Sequence, residues 1–392
     1  MRRAMCLLVV TACSGGSDPA TVRSRITTDL GNVLHQAQAA GQLAMPGKIA
    51  LGYVLPGLPA MPDPDAAIAW LTGTVFTDAD YLGGNVFRFP AESVCKTGDV
   101  VNSDCVAAVD KAQLRIRVEV DDTLHFYPQL GANHDEPIDI AVNHDGLTIT
   151  ASLDGAEAAL LALEAAYGGF APAAQLSGEV TLELQVVGPA HVMAAVSVTR
   201  DVAIALADPT GLFDSDGAIR FAMPAGLPLS LEVDAGARTF TANLDVENVT
   251  AHTPGHDFML AAATADAVYD GSALALTGVA LSASESVSSH VAATLALTEL
   301  SATLADANGQ ETLTPSPRLE LAAFVDHGLL ADTAPAFDVT HLVLDGAIRG
   351  DATMLAVMTG ALSVTTNPAQ FGFVANAGTC VTAAPWAVAT CE

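Results

Sequence analysis

Positive charge is scarce in this chain. Its 392 residues carry 15 Lys and Arg against 44 Asp and Glu, a net charge of -29 at pH 7 and a pI near 4.3. A surface so acidic offers no electrostatic footprint to a phosphate backbone or to anionic head groups, which argues against both as partners recognised by charge. Aromatic residues are also few: 13 Phe, 5 Tyr and 2 Trp. That is too thin a supply for base-stacking platforms or for the two girdles of a transmembrane barrel. Catalytic signatures are missing as well, with no G-x-S-x-G elbow and no H-E-x-x-H. Gly41 to Lys48 is not a phosphate loop, because Gly47-Lys48 is misplaced and Ile49 stands where Ser or Thr is required. The chain is therefore expected not to be an enzyme.

What is present begins with an address. Met1-Arg2-Arg3 is a short basic segment, and Ala4 to Val10 is an apolar run too short to span a bilayer. Val10-Thr11-Ala12-Cys13 follows, then Ser14-Gly15-Gly16-Ser17. This resembles the lipobox of bacterial lipoproteins. The resemblance implies that residues 1–12 are a signal peptide and that Cys13 is the lipidated N-terminus. Residues 13–17 would then form a flexible tether, and Ser14 favours an outer-membrane address. Two or more acyl chains on Cys13 would hold stably where one would not.

Four cysteines remain for the folded body: Cys95, Cys105, Cys380 and Cys391. Four Cys allow three pairings, and proximity favours Cys95–Cys105 and Cys380–Cys391. With no C-x-x-C among them, two disulfides in an oxidising compartment explain them better than a metal.

Residues 18–172 read as a smaller α+β domain. Asp18-Pro19 caps a helix with Val22, Ile26, Leu30, Val33 and Leu34 at helical spacing, ending near Gly41. A strand is predicted at Ile49 to Val54 and a short helix at Ala66 to Leu71. Residues 113–127 alternate as one strand, and Ile138–Val142 and Leu147–Thr150 form a hairpin around Asp145-Gly146. Asp154 is expected to cap a helix over Ala156 to Tyr167.

From 173 to 392 the chain reads as one large antiparallel β domain, a sandwich or closed meander. Strands are predicted at 180–186, 192–206, 227–233, 240–246, 258–268, 274–281, 291–304, 319–325, 341–344 and 354–364. One face of them is Val, Leu and Ile, and the other is Thr, Ser, Ala, Asp and Glu. A second sheet could cover the apolar face and leave a dry core. An apolar ligand could also cover it, in a cavity lined by residues such as Leu182, Val196, Leu231 and Leu295. Asp208, Asp214 and Asp216 share a Gly/Pro-rich loop and are candidate calcium ligands, although the spacing is not that of an EF-hand. His252 and His256 flank Pro254-Gly255 beside Asp257, and Asn133-His134-Asp135 and Asn143-His144-Asp145 repeat ten residues apart; loop and turn chemistry explains these better than a metal. The expectation is an exported, lipid-anchored envelope protein with a binding or structural role, possible ligands being apolar. The alternative is a surface adhesion or scaffold protein with a dry sandwich core and acidic, calcium-binding loops.

Overall fold

The computed structural model describes residues 18–46, 49–50, 63–97, 100–129, 137–154, 156, 173–207, 218–307, 310–326, 338–350, 354–367, 369–383 and 386–391. The chain is mainly β: one antiparallel sheet of 23 strands follows a small helical region.

The helical region begins as its sequence requires. Asp18 accepts from the backbone N–H groups of Ala20 and Thr21 at 3.0 and 3.1 Å, and Pro19 opens α1, Pro19–Arg25. A π-helical turn, Ile26–Leu30, leads into α2, Gly31–Gly41. Helix α3, Pro64–Trp70, is followed by a second π-helical turn, Leu71–Val75. Of the expected strand at 49–54, Ile49–Ala50 is described and pairs with Ala44–Met45; the rest lies outside the described residues.

The sheet's first strands are β1 Tyr81–Gly83, β2 Val86–Arg88, β3 Arg115–Val120, β4 Leu124–Gln129, β5 Ile138–Asn143 and β6 Gly146–Ser152. Next come β7 Ala173–Gly188, β8 His191–Ala207, β9 Ala218–Met223, β10 Gly226–Asp234, β11 Thr239–Thr253, β12 His256–Tyr269, β13 Ala273–Val287 and β14 His290–Ala307. The last are β15 Gln310–Ser316, β16 Leu319–Val325, β17 Asp338–Asp345, β18 Ile348–Gly350, β19 Met354–Val357, β20 Ala361–Asn367, β21 Phe373–Asn376, β22 Thr379–Ala383 and β23 Trp386–Thr390. Every pairing is antiparallel, and β6 pairs with β7, so strands on both sides of residue 172 belong to one sheet. The closed circuits of pairing are local. β8 pairs with both β9 and β10, and both return to β11. Among the described residues no register joins β1 to β23.

Two expectations are corrected. Residues 113–127 are not one strand but a hairpin, because Asp121-Asp122-Thr123 turns the chain between β3 and β4. Residues 354–364 are two strands, β19 and β20, broken at Gly360, whose φ of +69° ends the extended run. Asp154 accepts from the Gly178 N–H at 3.2 Å and pairs with Arg200. The helix expected after it lies, apart from Ala156, outside the described residues.

Opposed residues on paired strands put their side chains on the same face. Followed strand to strand, the register gives an unbroken apolar row: Val118, Phe126, Ile140, Ile149, Leu182, Val196, Leu229, Leu244, Ala265. Two residues along β11, a second row on the same face runs Val246, Ala263, Leu281, Leu297, Leu321, Leu342, Val364, Phe373. One apolar face thus crosses the sheet from β3 to β21. The opposite face is polar over β7–β12, with Glu183, Ser230, Asn243 and Asp266 in one row.

Three covers meet the apolar face. At its start, α1 and the π-turns bury Val22, Ile26, Val75, Phe76, Phe87, Val118, Leu124 and Val142 in one cluster. Next, α2 seals Leu184, Val192, Leu231, Val233 and Phe240 with Val33, Ala37 and Ala40. At its far end the sheet covers itself. Between them, over β11–β13, it is a single layer. Phe258 and Met259 are consecutive in β12 and so point to opposite faces, yet they are 41% and 44% exposed.

Candidate functional site

The self-covering end arises from one geometric device. After β14, an unbroken strand of 18 residues, each of the next long strands is broken in its middle. β15 and β16 are separated by Pro317, β17 and β18 by Gly346, β19 and β20 by Gly360, and β21 and β22 by Gly378. The three glycines have φ of +122°, +69° and +84°. The breaks line up into a crease, and the sheet folds along it into two halves, β15–β18–β19–β22 and β16–β17–β20–β21. The chain passes between the halves so closely that a Cβ on Gly360 would lie 1.7 Å from the Asp345 carbonyl oxygen. Across the crease, the Met358 N–H donates to the Ala347 carbonyl at 2.8 Å, and the Gly378 N–H to the Val357 carbonyl at 2.9 Å.

Folding the sheet onto its apolar face leaves a cavity of 330 Å³, partly open at its rim. Leu313, Ile348 and Leu355 line it from one half. Leu319, Leu321, Val339, Leu342, Leu344, Leu362 and Val364 line it from the other, with Phe371 and Phe373. Among the described residues Thr366, 5% exposed, is the single polar residue of the lining. Phe371, 48% exposed, stands at the rim. The volume falls in the range of small-molecule pockets, and a lining without charge among the described residues suits an apolar occupant.

Glu320 and His341 alternate with lining residues on their strands and so lie on the face opposite the cavity. Glu320 accepts from His341 Nε2 at 2.9 Å and from Arg318 at 2.8 Å, and these hydrogen bonds, His341 first, hold its carboxyl below the usual range.

The four residues proposed from sequence to face an apolar ligand share one face of the sheet. Leu182 pairs directly with Val196, Leu231 lies one row over, and Leu295 is two residues from Leu297 in β14. They do not converge on one hollow. Leu231 is sealed beneath α2, Leu182 is 40% exposed, and Leu295 lines an open groove near the crease. None of the four lines the cavity. Its lining was missed because leucines in alternation look alike whether they meet a second sheet or a space; the breaks at Gly346, Gly360 and Gly378 were the available signal.

The candidate calcium residues Asp208, Asp214 and Asp216 lie outside the described residues, as do Cys13, His134 and the rest of residues 1–17. Among the described residues no group of His, Cys, Asp and Glu is arranged to hold a metal ion. His252 and His256 are not gathered into one site: His252 Nδ1 is 2.6 Å from Asp257, and His256 Nδ1 is 2.7 Å from Glu285. Asn143 and Asp145 form a turn, the Asn143 side chain accepting from the Asp145 N–H at 2.9 Å. Both local cysteine pairs are bridged, with Cα–Cα distances of 5.6 Å for Cys95–Cys105 and 5.1 Å for Cys380–Cys391.

Comparison with protein-family models, with curated proteins and with solved structures finds no match.

Proposed function

We propose that this chain is an exported envelope protein, anchored to the bacterial outer membrane through lipid on Cys13, and that its creased sheet binds a small apolar molecule without acting on it chemically. The observation that carries the binding reading is the 330 Å³ cavity, walled by twelve apolar side chains and Thr366. A space of this size in a protein interior forfeits the dispersion contacts that close packing supplies, and a bound apolar ligand restores them. The two local disulfides and the lipobox-like start support export.

The test is native mass spectrometry of the exported chain with Cys13 changed to Ser, purified without detergent and with its disulfides intact. Extra mass that organic extraction removes, and that is absent from a Leu342→Trp variant, is the expected result. A bare polypeptide mass, with no uptake of an added apolar dye, overturns the binding reading and leaves the dry scaffold.

A further inference from the structure

The apolar face continues past the cavity. Strand β16 carries Leu319 and Leu321 into the cavity wall, and Ala323, the next residue on the same face, borders a second hollow, an open groove of 340 Å³. The register carries this groove back across three strands. Ala323 opposes Leu295, which opposes Ala283; Val325 opposes Ala293, which opposes Glu285, which opposes Phe258. Groove and cavity therefore adjoin along β16, on one face of one sheet.

The groove differs from the cavity in being open and in carrying polar residues, Ser284, Thr294 and Glu285, in its lining. Its floor is apolar, with Phe258 and Leu295 41% and 36% exposed, but Glu285 is a charged residue in its lining. Glu285 is held in place by His256, whose ring stacks on Phe258 with centroids 6.2 Å apart and planes within 10°. One hydrogen bond from His256 leaves most of the carboxylate's acceptor sites free. From Glu285 on β13 to Leu342 on β17 is three strand spacings across and four residues along the strands, roughly 20 Å. A single acyl chain with its head group spans most of that distance, since the chains of one bilayer leaflet cover about 15 Å, half of the ~30 Å core, before they are fully extended.

We infer that groove and cavity form one site for a single-chain amphiphile, with its tail in the cavity and its head at Glu285, and that Glu285 selects a cationic or neutral head over an anionic one. The inference rests on the cavity reading above, since the tail occupies that cavity. A carboxylate head would meet Glu285 as a like charge at the edge of an apolar surface, where water screens it poorly. An ammonium would instead donate to it.

The experiment compares dodecylammonium, dodecanol and dodecanoate, below their aggregation limits at pH 7.5, by displacement of a fluorescent apolar probe from the full exported chain. Dodecylammonium and dodecanol are expected to bind, with dodecanoate about tenfold weaker or more. Glu285→Gln, which keeps the size of this partly buried side chain and an acceptor for His256, should recover dodecanoate about tenfold, weaken dodecylammonium and leave dodecanol unchanged. Leu342→Trp should abolish all three. If the three bind alike and Glu285→Gln alters none, the head-group site is wrong while the cavity reading survives. If none binds, both fall.

Discussion

The two ends of the sheet present the same apolar face and cover it differently. At the start, helices lie on it. Their side chains project in all directions from a narrow rod and fill the hollows of a twisted sheet, so Val22, Ile26, Phe87, Val118, Leu124 and Val142 have no exposed surface at all. Aromatic rings complete the filling: Phe76 sits 5.2 Å from both Phe87 and Phe126, centroid to centroid. At the far end the cover is another part of the same sheet. Two sheet faces meet along a crease, their side chains are mostly leucine, and their separation is fixed at the fold line by backbone. What they cannot fill stays as space. A helix adapts to the sheet beneath it, whereas a creased sheet imposes its own angle, and that difference separates a dry core from a cavity.

The contrast can be broken at each end. Phe87→Ala removes the ring at the centre of the helix-covered core, and large-to-small changes of this kind cost about 3–5 kcal/mol. Chemical denaturation should show that loss, together with early release of the helical signal in circular dichroism. Gly360→Ala acts at the crease. Its positive φ alone costs a non-glycine residue about 1–3 kcal/mol, and the crowding against Asp345 adds to that. The expected outcome is lost protection from hydrogen exchange in β17–β22 while β3–β6 stay protected. A uniform loss across the chain would show that the two ends unfold together.

The smallest effect concerns the turn between β12 and β13. Asp270 accepts from the Ser272 hydroxyl at 2.7 Å, and from the N–H groups of Ala273 and Ser272 at 3.0 and 2.9 Å. These bonds, the Ser272 hydroxyl first, lower its carboxyl to about 2. A group whose folded pKa is depressed contributes stability that is complete above its unfolded value, near 3.8, and is lost as pH falls toward 2. Wild type should therefore lose more stability between pH 4 and pH 2 than Asp270→Asn does, as measured by thermal melts across that range.

The sheet was legible in the sequence wherever alternation was strict. Val180, Leu182, Leu184 and Val186 announce their strand and its buried side, because a period of two has no other reading. The capped helix at Asp18-Pro19 and both disulfides were equally local. The crease was not. Met354 to Val364 keeps its apolar content through Gly360, and only a neighbouring carbonyl, fifteen residues back in the chain, shows that the strand must turn there. The length of β11 was also underestimated: Glu247 and Asn248 look like an ending, but in the structure Asn248 takes a φ of +55° and the strand resumes to Thr253. Neither the cavity nor the groove has a motif of its own. Each is made by which strand lies beside which, and that is decided by register.

The pairing order also bears on how the molecule is assembled. Among the described residues most strands find their partner in the next one or two along the chain, and only β15–β18, β17–β20 and β19–β22 pair three apart, so most closures span a short loop and cost little entropy. A chain delivered N-terminus first, whether from a ribosome or through a membrane pore, can add each strand to the edge already laid down and need not wait for the last to arrive. The growing edge is sticky at every step, and the strands that finally end it are short, β23 having five residues.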